Sequence, residues 1–336
     1  MTFALDDHWV WDFWIADSGD LFHLFYLHAP RSLGDPDLRH RNAVVGHAVS
    51  TDLRTWSDRG PVLGPGGPGA FDETATWTGS VVRGPDGMWR MFYTGARFPS
   101  ADSARNIETI GVARSADLTT WERSPAALTT ADPFRYETLA EGTWHEEAWR
   151  DPWVFPDPSG DGWHMLITAR AGRDGRNAAG EVPADPRDRG VIGHATSPDL
   201  EVWTVREPLS APGAGFAHLE VPQSVTIDGR HLLLFSCDTA HLAGARRDGG
   251  GGGIWAVTAP GPVGPFPVER AVRLTGDELY SGRVIRDRAG RWVMLAFENI
   301  GDAGDGTGFV GRISDPLPLG RSTDGDPLLA VGEGVR

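Results

Sequence analysis

The sequence predicts an all-β protein: a single-domain five-bladed β-propeller without a C-terminal β-sandwich. Three observations carry that expectation. The first is a recurring phrase. Ser50-Thr51-Asp52-Leu53-Arg54-Thr55-Trp56, Ser115-Ala116-Asp117-Leu118-Thr119-Thr120-Trp121 and Ser197-Pro198-Asp199-Leu200-Glu201-Val202-Trp203 all read Ser-x-Asp-Leu-x-x-Trp. Each follows a strand-like run ending in small residues, and a unit that recurs is a structural module. The second is composition: 44 Gly, 25 Pro and 14 Trp suit many tight turns and half-buried strands. The third is a hairpin pattern that recurs five times while no segment keeps a helical period.

The hairpins follow in order. Leu21–Leu27 precedes Ala43–Ala48 in the first unit. Gly79–Val82 turns through Gly84-Pro85-Asp86-Gly87 into Trp89–Thr94, and Ile110–Ala113 follows. Trp153–Phe155 turns through Asp157–Gly162 into Trp163–Thr168. Gln223–Ile227 turns at Asp228-Gly229 into His231–Ser236, with Ile254–Val257 after it. Ser281–Ile285 turns at Arg288-Ala289-Gly290 into Trp292–Phe297, and Phe309–Ile313 ends the series. Gly and Asp-Gly turns are the chemistry tight hairpins require. Five such units around an axis make a propeller. A two-sheet sandwich would explain the spaced strands but not the phrase. The domain is expected over 1–320, with a polar tail over 321–336. The glycine-rich stretch 243–253 lacks the Lys and Ser or Thr of a phosphate loop and reads as a surface loop.

The net charge of −15 repels phosphate backbones, so nucleic acid is not an expected partner. No apolar run reaches the roughly 18 residues of a membrane span, so no membrane partner is expected. The first residues show no basic or apolar leader pattern, which leads to the expectation of a cytoplasmic protein. The single cysteine, Cys237, has no partner for an intrachain disulfide and reads as a small core residue. The histidines have no ligand spacing, so neither metal nor cofactor is expected. The Asp157–Gly162 segment lacks the ligands of a calcium loop and reads as a hairpin turn.

Chemistry is expected where the innermost strands line the axis. Asp12 lies in Trp11-Asp12-Phe13-Trp14, Asp151 in Arg150-Asp151-Pro152, and Glu220 in Leu219-Glu220-Val221-Pro222. Each carboxylate sits among apolar or aromatic residues, where a lone charge is costly. Alone, Asp151 reads as a turn residue, and Glu220 fits a paired structural carboxylate as well as a site. Their placement in three different blades singles them out.

In this order, Trp11-Asp12-Phe13-Trp14, Trp77-Thr78-Gly79-Ser80, Trp149-Arg150-Asp151-Pro152 and Glu220-Val221-Pro222 resemble the glycoside hydrolases of families 32 and 68, the β-fructofuranosidase and levansucrase group. Met91–Gly95 and Asp277–Arg283 extend the resemblance, which spans about residues 9–315. It implies a retaining hydrolase of β-fructofuranosides, such as sucrose or fructo-oligosaccharides, with possible transfer to other acceptors. Asp12 would be the nucleophile, Glu220 the acid and base, and Asp151 the stabiliser of the oxocarbenium-like transition state. Retention wants the nucleophile and acid roughly 5–5.5 Å apart. Arg150 would orient the carboxylates. Trp11, Trp14, Trp77, Ser80 and Tyr280 would line the sugar subsite, with packing an equal reading for each.

The chain also departs from the group. Family 32 has Asn-Asp-Pro-Asn where Trp11–Trp14 stand, and Glu-Cys-Pro where Val221 stands. Two alternatives remain open: an inverting hydrolase of arabinofuranosides or xylosides like those of family 43, and a carbohydrate-binding propeller without catalysis. The sequence leaves the oligomeric state open.

Overall fold

The computed structural model describes residues 2–319 apart from 101 and 305–307. The expected tail lies outside the described residues. The fold is a five-bladed β-propeller. Blade I holds His8–Asp17, Phe22–Pro30, Val44–Ser50 and Ser57–Leu63, hydrogen-bonded in chain order. Blade II holds Ala75–Arg83, Trp89–Arg97, Asn106–Ser115 and Glu122–Arg123; blade III holds Trp149–Pro156, Trp163–Arg170, Gly190–Ser197 and Thr204–Arg206. Blade IV holds Glu220–Ile227, Arg230–Cys237, Gly253–Ala259 and Val272–Arg273. Blade V holds Leu279–Arg286, Trp292–Ile300 and Phe309–Ile313, with Leu317–Pro318 continuing along the same edge.

Phe3 closes the ring. Its N–H and C=O exchange 2.9 Å bonds with Ile313 of blade V, so the start of the chain supplies the outermost rung of the last blade. The other outer strands are largely exposed, and those of blades II, III and IV span only two or three residues, which limits edge-to-edge pairing.

The core lies between blades. Phe92 and Val112 of blade II pack with Trp149 and Met165 of blade III. Leu166 and Ile192 of blade III pack with Leu233 and Trp255 of blade IV. Side chains also stitch neighbouring inner strands. The Gln223 amide accepts from Val284 N at 2.7 Å and donates to Val284 O at 2.8 Å. That exchange replaces a ladder pair between blades IV and V.

The Ser-x-Asp-Leu-x-x-Trp phrase is the turn from the third to the outermost strand in blades I, II and III. Ser50 Oγ accepts from Asp52 N and Leu53 N, and Asp52 Oδ1 accepts from Arg54 N and Thr55 N. The same four bonds recur around Ser115 and Asp117, and around Ser197 and Asp199. The leucines take left-handed backbone, with φ of 63° at Leu53, 65° at Leu118 and 68° at Leu200. Such a φ is unfavourable for a side chain with a Cβ; burial of each leucine in the core offsets it. Trp121 of blade II then meets Phe25 of blade I edge-on at 5.5 Å, and Trp203 of blade III meets Phe92 of blade II at 5.5 Å. The turns of blades II and III thus dock each blade on the previous one.

One sequence expectation needs correcting. The stretch 243–253 is not wholly irregular: Gly244–Asp248 is a short α-helix. Arg246 ties it down, donating to the carbonyls of Ala214 at 2.6 Å, Ala271 at 3.0 Å and Glu269 at 2.9 Å. Five residues are too few to show a helical period.

Candidate active site

All five inner strands break register at the same place. The ladder slips between Trp11 and Phe13, Trp77 and Gly79, Arg150 and Trp153, Glu220 and Gln223, and Tyr280 and Arg283. A bulge frees residues from the ladder and re-aims them. It sorts the inner strands into two tiers. Trp11, Trp77, Arg150, Glu220 and Tyr280 occupy the position before the slip. Asp12, Thr78, Asp151, Val221 and Ser281 follow them in the bulge. Three of these five have positive φ without being glycine: Asp151 at 58°, Val221 at 52° and Ser281 at 51°. Strain of this kind gathers where structure is spent on function.

The bulge tier holds two carboxylates. Thr78 Oγ1 donates to Asp12 Oδ2 at 2.5 Å and Ser281 Oγ donates to Asp12 Oδ1 at 2.5 Å. Blades II and V thereby fix the blade I carboxylate from both sides. Asp151 Oδ2 accepts from Thr168 Oγ1 at 2.8 Å and from Val221 N at 3.1 Å. Asp151 N donates to Thr94 Oγ1 at 2.9 Å. Burial is the main force on Asp151. With Arg150 opposing, and with the negative charges of Asp12 and Glu220 adding to it, burial pushes the Asp151 carboxyl up to about 7. The three acids form one cluster, since Val221 beside Glu220 donates to Asp151 and adjacent Tyr280 and Ser281 donate to Glu220 and Asp12.

Glu220 stands in the first tier between two donors. Arg150 Nη2 donates to Oε1 at 2.6 Å, and the Tyr280 hydroxyl donates to Oε2. Burial, followed by the charge of Glu220, holds the Tyr280 phenol well above its ordinary range, so it stays a donor. Arg150 is itself shared. Its Nη1 donates to Glu108 at 2.9 Å and Glu146 at 3.0 Å, and its Nε lies 3.6 Å from Asp151. Burial works against its charge, but the surrounding carboxylates outweigh that and raise it well above the usual arginine range.

The structure therefore brings together Asp12, Asp151, Glu220, Arg150 and Tyr280. Trp77 sits in the first tier, its indole N–H held by His40 O at 2.7 Å. Trp11 shares that tier, with the Arg39 guanidinium 5.8 Å from its ring. Trp14 and Ser80 depart from the sugar-lining expectation, since both lie beyond the bulge. Trp14 is 1% exposed and stacks on Phe25. Ser80 Oγ accepts from Val154 N at 3.1 Å, which joins blade II to blade III. Their alternation was legible in sequence, but the one-residue slip that reassigns them was not.

Sequence reasoning missed Thr78 and Ser281, although both lie inside the motifs it quoted. Aligning the five inner strands on the residue before each slip would have found them. It also missed Glu108, Glu146 and Arg283. Arg283 is 2% exposed and donates to Pro222 O at 2.8 Å. Burial lowers it to about 10, while Asp151 and Asp12 pull in the other direction.

Fold and site define a class: a five-bladed propeller with a carboxylate cluster at the axial bulges. Residues 14–179 match the model of the glycosyl hydrolases family 32 N-terminal domain. The raffinose invertase of Escherichia coli is 25% identical over 86% of this chain and 56% of its own length. The chain thus spans little more than half of that relative. Inulosucrase from Halalkalicoccus jeotgali bound to kestose superposes with a TM-score of 0.76 at 23% identity, over 95% of this chain and 86% of that one. The Microbacterium saccharophilum β-fructofuranosidase catalytic domain gives 0.76 at 19% identity, over 98% and 81%. At such identities the structural likeness speaks to the fold. The family match and the invertase thus make the chain similar to the glycosyl hydrolases of family 32, and these propellers share its fold.

Proposed function

We propose that this protein cleaves or transfers β-fructofuranosyl groups with retention of configuration. The observation that carries the reading is the convergence of Asp12, Asp151 and Glu220 from three blades: Val221, next to Glu220, donates to Asp151, and Ser281, next to the Tyr280 that binds Glu220, donates to Asp12. Asp12 attacks the anomeric carbon while Glu220 gives its proton to the departing glycosidic oxygen. The carbon–oxygen bond to the leaving group breaks as the ester to Asp12 forms. Glu220, now a carboxylate, takes a proton from water or an acceptor hydroxyl, whose oxygen displaces Asp12 and restores both groups. Two inversions give net retention.

The surroundings suit these roles. Thr78 and Ser281 hold Asp12 in one orientation, so less reorganisation is needed for attack. Arg150 and Tyr280 steady Glu220. Asp151 is positioned to bond sugar hydroxyls and the charge that develops on the ring. The substrate is a small carbohydrate carrying a terminal fructofuranosyl unit.

The experiment is a panel of sucrose, inulin-type and levan-type oligosaccharides, arabinofuranosides and xylosides, with the first product followed by NMR. Cleavage of fructosides with β-fructofuranose appearing first is expected. Inversion, or turnover of arabinosides or xylosides alone, would favour the family 43-like reading. Sugar binding without turnover would favour a lectin-like propeller.

A further inference from the structure

A second cluster of acids lies behind Glu220, outside the three carboxylates that do the chemistry. Glu146–Glu147 runs parallel to Asn106–Ile107, the one parallel pairing among the described strands. The link from blade II to blade III thus lies along a blade edge just before it enters the inner strand at Trp149. The pairing sets Glu146 opposite Asn106. Glu108 is fully buried nearby, its Oε1 accepting from Asn106 Nδ2 at 3.0 Å. Both glutamates meet the same nitrogen of Arg150. On the far side, His218 Nε2 lies 2.9 Å from Glu146 Oε1. His218 is two residues before Glu220 on the same chain segment and is 2% exposed.

We propose that Glu146, which His218 faces, is a positioning residue that acts through Arg150 to set how strongly Glu220 keeps its proton. This rests on the acid–base role given to Glu220 above. A guanidinium has a fixed fork and one charge. What Glu146 and Glu108 take at Nη1 governs how the remaining fork faces Glu220 at Nη2. The group that departs needs a protonated Glu220, and a full positive charge aimed only at Glu220 would favour its ionised form. The Glu146 carboxylate draws part of that charge to the rear, while Glu108, which burial raises to about 8, sits there as a neutral acid near pH 7. Burial, followed by the charge of Arg150, keeps the His218 imidazole neutral, with its titration lowered to about 4. His218 therefore packs against Glu146 without cancelling its charge.

Other titratable groups face this relay. Asp151 and Tyr280 flank Glu220, as described. The remaining neighbours are His145, which lies 3.7 Å from Glu146, His40, which feels the charges of Glu146 and Arg150, Arg170, which feels Glu146 and acts on His218, Cys237, which feels Glu220, and His241, which Asp238 binds at 2.8 Å and which the charges of Glu220 and Glu146 also favour in its cationic form.

The test compares Glu146→Gln, His218→Ala and His218→Gln with the wild type on kestose, which has a poor leaving group, and on 4-nitrophenyl β-fructofuranoside, whose leaving group needs no proton. For Glu146→Gln we expect a roughly tenfold to hundredfold loss of kcat/KM on kestose and less than about threefold on the aryl fructoside, since only general-acid assistance is affected. The alkaline limb of the kestose pH profile should move to lower pH. His218→Ala should follow Glu146→Gln, and His218→Gln, which keeps a donor, should recover part of the loss. Equal losses on both substrates with the alkaline limb in place would mean a merely structural role and would overturn the proposal, as would wild-type behaviour of Glu146→Gln. The aryl fructoside doubles as a check that each variant is folded. Glu220→Gln is the control. If it also lacks leaving-group dependence, the role of Glu220 fails; if only Glu146→Gln lacks it, the relay alone fails.

Discussion

Two parts of each blade invite comparison, the outer turn and the inner bulge. The outer turn repeats in sequence and in structure, with the same four hydrogen bonds at Asp52, Asp117 and Asp199. The inner bulge repeats in structure in all five blades, but no two blades carry the same residue pair there. Their electrostatics also run in opposite directions. Backbone N–H donors hold Asp52, Asp117 and Asp199 below the usual aspartate range, whereas burial drives Asp151 above it. A repeated side chain serves the frame. A repeated backbone with varied side chains makes a site.

The largest effect that would break this comparison lies in the bulge. Asp12→Asn should lower kcat by roughly a thousandfold or more while leaving the thermal midpoint nearly unchanged, because it removes the proposed nucleophile and no buried volume. Steady-state kinetics on sucrose beside calorimetry checks it. The outer turn should behave in the reverse sense. Leu118→Ala removes a side chain only 2% exposed and should destabilise the fold by about 2–5 kcal/mol, with kcat/KM of the folded fraction unchanged.

A smaller effect separates the regions by pH. The folded state holds the Asp151 proton more tightly than the unfolded chain, since its carboxyl moves from 3.8 to about 7. This contribution to stability is therefore present below about pH 4 and is lost as pH rises towards 7. Asp151→Asn should match the wild type near pH 4 and exceed it near neutrality by on the order of 1–3 kcal/mol, as denaturant titrations at the two pH values will register. Glu108, which burial raises to about 8 against the pull of Arg150, will leave a residual slope. The smallest change is at Ser115, whose buried hydroxyl accepts from Asp117 N at 3.1 Å and Leu118 N at 2.8 Å. Ser115→Ala should destabilise by about 1 kcal/mol and leave turnover intact. A catalytic defect there would erase the distinction between frame and site.

The frame was legible in the sequence because its physics is local. Gly and Asp-Gly turns, strand alternation and the Ser-x-Asp-Leu-x-x-Trp phrase each act within a few residues. Asp12, Asp151 and Glu220 were legible as acids in apolar company, and the structure places them together. What the sequence hid is register. A one-residue slip in each inner strand moves Thr78 and Ser281 onto Asp12 and takes Trp14 and Ser80 into packing. No local signal marks the slip, because it is set by pairing with the second strand of each blade. Glu108 and Glu146 were hidden for a similar reason, since they meet Arg150 only through the parallel crossover between blades II and III.

The most direct measurement is the mass of peptides from the Glu220→Gln variant, quenched during turnover of 4-nitrophenyl β-fructofuranoside and digested. Loss of the base slows release of the covalent intermediate, so the account predicts one added fructosyl residue on the peptide that carries Asp12. An adduct on the Asp151 peptide, or no adduct with inversion of the first product, would contradict it.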